Sequence, residues 1–204
     1  MQLSRAIIST PLGDMLALAS DAGLCALEFT GPLHRKSEVR SQKSEEKTDF
    51  RLQTSDFRAS PSRAGRLHAR LRRWFPPHQI VDCDAPVIRR TRDWLTRYFE
   101  GAAADAEDIP LDMRGAEFEK RVWTALRTIR PGQTTSYGAI AKALGDAGAS
   151  RAVGAANGAN PVAIIVPCHR VIGSSGSLTG YGGGLQRKRW LLDHERRWRA
   201  GVLF

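Results

Sequence analysis

Ala163-Ile164-Ile165-Val166 is an apolar run that belongs in a protein interior, and it delivers the chain through Pro167 directly into Cys168-His169-Arg170. Any fold this chain adopts must therefore carry a thiol, an imidazole and a guanidinium to its core. A cysteine in an apolar setting is usually an inert small hydrophobe, and this is the reading for Cys25 and Cys83. At Cys168 the neighbours weaken it, because imidazole and guanidinium favour the thiolate of a group whose free pKa is ~8.5. Adjacent residues of an extended strand point to opposite faces, so contact between Cys168 and His169 requires a turn here or a bridging water.

The rest of the chain reads as a frame for that segment. Ala6-Ile7-Ile8, Met15 to Ala19 and Leu24 to Phe29, separated by turns at Thr10 to Asp14 and Asp21 to Gly23, form an antiparallel meander. From about 35 to 65 the chain is rich in Ser, Lys, Glu, Arg and Gln without a sustained period, which reads as a long flexible insertion. A short helix from Leu67 to Phe75 is stopped by Pro76-Pro77, and Gln79 to Cys83 is a further strand. Ile88, Leu95, Tyr98 and Phe99 share a helical face ahead of Gly101.

Beyond Asp108 the pattern becomes helical. Phe118, Val122, Leu126 and Ile129 repeat at helical spacing before Pro131-Gly132. Ser136 is a good N-cap for a second helix carrying Tyr137, Ile140, Ala141 and Leu144, which ends at Gly145. A third starts near Ser150. Two short helices joined by small residues are compatible with a helix-turn-helix. The third helix is nearly all Ala and Gly apart from Arg151, Val153 and Asn157. Gly154 and Gly158 cost it roughly 0.5 to 1 kcal/mol each relative to Ala, so either a neighbouring helix or an external surface approaches closely there. The expected division is 1–108, an α/β part, and 109–204, a mostly α part.

Composition narrows the partners. The 204 residues are 42% hydrophobic, ordinary for a packed globular protein, and 31 Lys and Arg against 21 Asp and Glu give a formal charge of +10. That balance favours polyanions such as nucleic acid, although runs such as Arg70, Arg72 and Arg73 are more often a solvated face than a footprint. Three widely spaced cysteines with no C-x-x-C indicate neither a disulfide framework nor a structural metal. Without a basic, apolar leader or a long apolar run, a soluble cytoplasmic protein with no membrane contact is expected.

The string from Asn160 to Ile172 closely resembles the active-site segment of O6-alkylguanine-DNA alkyltransferases, also called methylated-DNA-protein-cysteine methyltransferases. Ser136-Tyr137-Gly138, Arg151-Ala152-Val153-Gly154, Tyr181 to Leu185 and Trp190 to Glu195 resemble the family's other motifs in the same order. The resemblance implies an N-terminal domain with a small antiparallel, ribonuclease-H-like sheet and a mostly helical C-terminal domain with a winged-helix-like helix-turn-helix. It implies suicide transfer of an alkyl group from O6-alkylguanine, and from O4-alkylthymine, in duplex DNA to Cys168. His169 would deprotonate the thiol through a water, oriented by Glu195, while Tyr137 and Lys188 would neutralise the displaced guanine. Asn160 and Pro161 would shape the active-site turn, and Val171, Tyr181 and Gly183 would line the base pocket. Arg151 would replace the extruded base, with Ser150, Ala152, Gly154, Ala155, Asn157 and Tyr137 facing the minor groove. No cofactor is required. The protein would act as a monomer, with cooperative assembly on DNA left open.

Three features depart from the family pattern. Gly182 stands where a serine often follows the pocket tyrosine, the basic insertion is unfamiliar, and the zinc ligands of some members have no counterpart. Cys168 argues against an alkyltransferase-like lesion binder, which lacks the acceptor. A self-methylating regulator would carry a further cysteine-rich domain, and a cysteine hydrolase would need an oxyanion hole and a separately placed histidine.

Overall fold

The computed structural model describes residues 1–31, 63–75, 77–102 and 106–199. The expected insertion lies outside them except for its last three residues, which already belong to a helix. Strands β1 (Gln2–Ile8), β2 (Met15–Ser20) and β3 (Gly23–Phe29) form the expected antiparallel meander, with Ile8 opposite Met15 and Met15 opposite Phe29. Helix α1 (Arg63–Trp74) then carries the chain back to β4 (Gln79–Asp82), which pairs in parallel with β1, Leu3 opposite Ile80. The sheet, in order β3-β2-β1-β4, is therefore mixed and not antiparallel throughout. The cause is the crossover: a helix between two strands allows the second to run with its neighbour, which a tight turn does not.

Alternation along the strands feeds two cores. Leu3, Leu18, Cys25 and Ala26 pack with Leu67, Leu71 and Phe75 around α1. Ala17, Ala19, Leu24 and Leu27 point the other way, toward Ile88, Leu95 and Tyr98 of α2 (Pro86–Phe99) and into the second half of the chain.

That half contains α3 (Glu117–Arg127), β5 (Thr135–Ser136), α4 (Tyr137–Ala143), α5 (Ser150–Gly158), one 3-10 turn at Cys168–Arg170, β6 (Val171–Ile172) and α6 (Leu185–Arg199). Glu119 accepts from the Ala116 amide at 2.8 Å, closing the N-terminus of α3, and Ser136 Oγ accepts from the Ala139 amide at 3.1 Å as the N-cap of α4. Among the described residues no helix is long and apolar enough to cross a membrane.

β3 joins the halves. On its outer edge Leu24 donates to Pro110 O at 2.8 Å and accepts from Asp112 N at 3.0 Å, while Leu27 donates to Pro161 O and accepts from Ala163 N, both at 2.9 Å. With both faces and this edge covered, all seven residues of β3 are buried. The larger core runs without a break from Ile8 through Val122 and Ile165 to Leu191, across the boundary at 108/109.

Gly23 sits where β3 meets Pro110. Its φ is +154°, and a Cβ there would lie 2.5 Å from Pro110 O. Gly101 also has positive φ, +76°, but open space around it. Gly23→Ala should cost about 2–3 kcal/mol through backbone overlap and Gly101→Ala about 1 kcal/mol through conformation alone, as urea unfolding midpoints would report.

Candidate active site

The segment from Asn160 to Arg170 is held by its own side chains. Asn160 Nδ2 donates to Val166 O at 2.7 Å, and its Oδ1 accepts from Val162 N at 3.0 Å, so one amide spans the turn from both ends. Inside that span Ile164 has φ +70°, a genuine outlier for a β-branched residue, although its side chain is fully packed. Every residue from Pro161 to Arg170 is buried. The chain leaves this loop into the Cys168–Arg170 turn, which removes the strand geometry that would have set Cys168 and His169 on opposite faces. Cys168 lines a small cleft with Asn157, Asn160, Tyr181 and Gly183.

Behind the cysteine lies a buried carboxylate. Glu195 Oε1 accepts from Tyr98 OH at 2.7 Å, His169 Nε2 at 2.9 Å and Arg170 Nη2 at 2.8 Å, and Oε2 accepts from Gly132 N at 3.1 Å and Arg170 Nε at 3.0 Å. Arg170 Nη1 also donates to Ile129 O. Burial alone would push the Glu195 carboxyl up, but the hydrogen bonds from His169 and Arg170 and the Arg170 charge beside it hold it well below the usual carboxylate range. An ionised carboxylate only accepts, so His169 Nε2 carries the hydrogen. Burial also lowers the pKa of His169, against the pull of Glu195, which keeps the ring neutral near pH 7. Its Nδ1 is then a lone-pair nitrogen, and neither it nor Asn157 Oδ1, both buried, meets a hydrogen-bond partner among the described residues. Arg170, expected to favour the thiolate, is instead engaged by Glu195.

The other flank is set by the short β5–β6 ladder. Thr135 pairs with Val171 and Ser136 with Ile172, which brings Tyr137, the first residue of α4, alongside the strand that leaves Cys168. Lys188 is buried, with Nζ donating to Val171 O at 2.6 Å and Thr179 O at 2.7 Å. Burial lowers its pKa, and the nearby Cys168 opposes that shift. Thr179 Oγ1 donates to Tyr137 OH at 3.0 Å. Gly183 is required sterically, since a Cβ would meet the Tyr181 ring at 2.5 Å and the Phe29 ring at 3.0 Å. Arg187 fixes the same loop to the first half of the chain, donating to Leu12 O at 2.8 Å and Gly183 O at 3.0 Å while lying 4.3 Å over the Phe29 ring.

The α5 surface matches its sequence, with one exception. Arg151, Ala152, Ala155 and Gly158 are exposed, Ser150 and Gly154 are half-buried, and Val153 and Ala156 face the core. A Gly154 Cβ would meet the Tyr137 ring at an ordinary 3.8 Å and a Gly158 Cβ would meet nothing within 4 Å, so internal packing explains neither glycine. The exception is Asn157, expected on the outward face. It is 4% exposed and its Nδ2 points to Cys168 O at 3.4 Å, because its position in the helix turns it toward the active-site turn with Val153.

Several contributors were not singled out from the sequence: Arg170 as the clamp on Glu195, Tyr98, Thr179 and Arg187. A signal for two neighbouring positions was present, since Lys188, Leu191, Leu192 and Glu195 fall at the spacing of one helical face, so that a lysine and a glutamate occupy an apolar stripe. Cys25 is buried with its thiol pushed up to about 11 by burial, and Cys83 is exposed, not in an apolar setting. No group of three or more His, Cys, Asp or Glu that could hold a metal occurs among the described residues. A roomier cleft, of about 520 Å³, lies on the far side of the Glu195 network between Trp94, Trp198 and Arg127 and does not reach Cys168.

A depressed folded-state pKa at Glu195 stabilises the native state above the unfolded carboxylate value of ~4.3, and that contribution is lost as pH falls below it. Melting temperature should therefore fall on acidification from about pH 5 to pH 3. Glu195→Gln, which leaves the Arg170 guanidinium unbalanced, should cost about 3–5 kcal/mol at pH 7 and flatten the acid limb, as thermal unfolding across pH would show.

Residues 117–197 match the family model for the 6-O-methylguanine DNA methyltransferase DNA-binding domain. A methylated-DNA–protein-cysteine methyltransferase from Mycolicibacterium paratuberculosis is 63% identical over 103 residues, which cover 50% of this chain and 62% of that protein, so the match spans about three-fifths of this relative's length. The Mycobacterium leprae protein of the same name is 48% identical over 145 residues, 71% of this chain and 78% of its own. The crystal structure of Mycobacterium tuberculosis OGT in complex with DNA superposes with a TM-score of 0.67 at 35% identity, covering 97% of this chain and 94% of that one. By sequence over most of a relative's length and by fold over nearly its own whole length, the chain belongs to the methylated-DNA–protein-cysteine methyltransferase family.

Proposed function

We propose that this protein repairs alkylated DNA by transferring the alkyl group of O6-alkylguanine, and of O4-alkylthymine, to its own Cys168 in a single turnover. The observation that carries this reading is the order Cys168, His169, Glu195: a sulfur in a braced turn, followed by a neutral imidazole whose far nitrogen is pinned by a buried carboxylate. His169 Nδ1 takes the thiol proton through a water, and the Cys168 sulfur attacks the alkyl carbon. A C–S bond forms as the C–O bond breaks, and the electron pair stays with the base. Tyr137 and Lys188 neutralise that charge, Tyr137 by giving its hydroxyl proton to the ring and Lys188 by its positive field. The S-alkyl product has no exit, so each molecule acts once.

Access to the base follows from the other face. A guanine stacked in duplex DNA does not expose the alkyl carbon to in-line attack, and extrusion costs a few kcal/mol. α4 and α5 act as a helix-turn-helix within the 109–204 part, winged-helix-like, beside a ribonuclease-H-like 1–108 part. The Ala/Gly face of α5 suits close approach to a narrow minor groove, and Arg151 fills the gap left by the base. Phosphate contacts from a chain of charge +10 supply sequence-independent affinity. The pocket for the base is lined by Tyr181, Gly183 and Val171, and the protein works as a monomer without a cofactor.

The test uses duplex DNA carrying radiolabelled O6-methylguanine. One equivalent of label should appear on the peptide containing Cys168 and none on Cys168→Ala, read by peptide mass spectrometry. Binding without transfer would replace this reading with that of a lesion binder. Arg151→Ala should slow transfer from duplex DNA about tenfold or more while leaving the reaction with the free base O6-benzylguanine unchanged, because only the duplex requires the gap to be filled.

A further inference from the structure

Thr179 hydrogen-bonds both groups assigned to the departing base, and it does so with different atoms. Its carbonyl accepts from Lys188 Nζ at 2.7 Å, while its hydroxyl donates to Tyr137 OH at 3.0 Å. The two partners come from distant parts of the chain, α6 and the start of α4, and Thr179 lies on the connection between β6 and α6. Lys188 is held a second time by Val171 O at 2.6 Å, whereas the Thr179 hydroxyl is the hydrogen-bonding partner found for the Tyr137 phenol.

We infer that Thr179 is a positioning residue for alkyl transfer, aligning the Tyr137 hydroxyl toward the leaving base and stabilising the charge that its oxygen acquires. The inference rests on the reading of Tyr137 as proton donor. A phenol that gives its proton to the displaced base is left with an electron pair and a negative charge on oxygen. A hydroxyl already donating to that oxygen stabilises the charge at the moment it develops, and hydrogen bonds in such a chain strengthen one another. The same contact occupies one lone pair of the phenol and so directs its hydrogen away from Thr179. The proton balance closes when, after the base has left, solvent water relays to the phenolate the proton that His169 took from the thiol. Because the Lys188 contact uses the Thr179 backbone, substitution of the side chain separates the two roles.

Single-turnover transfer from duplex DNA carrying O6-methylguanine, with duplex affinity measured separately, tests this. Thr179→Val should slow transfer about five- to tenfold with affinity unchanged, the scale of one lost hydrogen bond to a developing charge. Thr179→Ser, which keeps the hydroxyl, should restore the rate to within about twofold. In a Tyr137→Phe background the Val substitution should have no further effect, since no phenol remains to be aligned. A Val variant as fast as the unaltered protein, or one that slows Tyr137→Phe by the same factor, overturns the assignment while leaving Cys168 transfer standing. Absence of transfer by the unaltered protein overturns the functional reading itself, and this inference with it.

Discussion

The carboxylate of Glu195 is the constraint on which the reactive half of the molecule depends. Placing an ionised group in the core is costly unless every lone pair is met, and here donors come from α2, from the loop after α3 and from the Cys168–Arg170 turn. Those segments are consequently fixed relative to α6. The same group that closes the electrostatics of the core also decides which nitrogen of His169 carries the hydrogen, and therefore which one keeps a lone pair. Structural satisfaction and chemical readiness are here one set of hydrogen bonds.

The active-site loop shows the complementary principle, in which strain is kept because its surroundings leave no alternative. Ile164 holds a left-handed backbone conformation inside a loop braced by Asn160 and paired to Leu27 of β3. Relaxing it would mean pulling Ile164 and Ile165 from the core. The loop thus has a rigid base, and its free end presents Cys168. On the opposite side β5 and β6 couple α4 to the same segment, and Tyr137 follows directly on β5 as the first residue of that helix.

Much of this was legible in the sequence. The meander, α1, β4, α2 and the three helices from Glu117 to Gly158 followed from periodicity and capping, because those signals are local: Ser136 caps α4 in the structure as its position implies. The parallel pairing of β4 was not legible, since the direction of a strand is set by the path of a crossover and not by its own residues. Within the site, the motif order placed Cys168, His169, Glu195, Tyr137, Lys188 and Asn160 in one region. What it did not give were the contacts that depend on distance in the chain, such as Tyr98 with Glu195 or Arg187 with Leu12. Asn157 was misplaced for a related reason: on a helix of Ala and Gly the contrast between inner and outer faces is weak, so the pattern does not say which way an amide turns.

The sharing of β3 has a consequence for how firmly Cys168 is held. Since the edge of that strand is completed by backbone from Pro110 to Asp112 and from Pro161 to Ala163, the two halves of the chain share one sheet edge and one core. Loosening the loop that carries Cys168 would break the ladder that closes the sheet. Cys168 is thereby held in place by backbone that both halves share, and the small cleft it lines with Asn157, Asn160 and Tyr181 is its route to solvent.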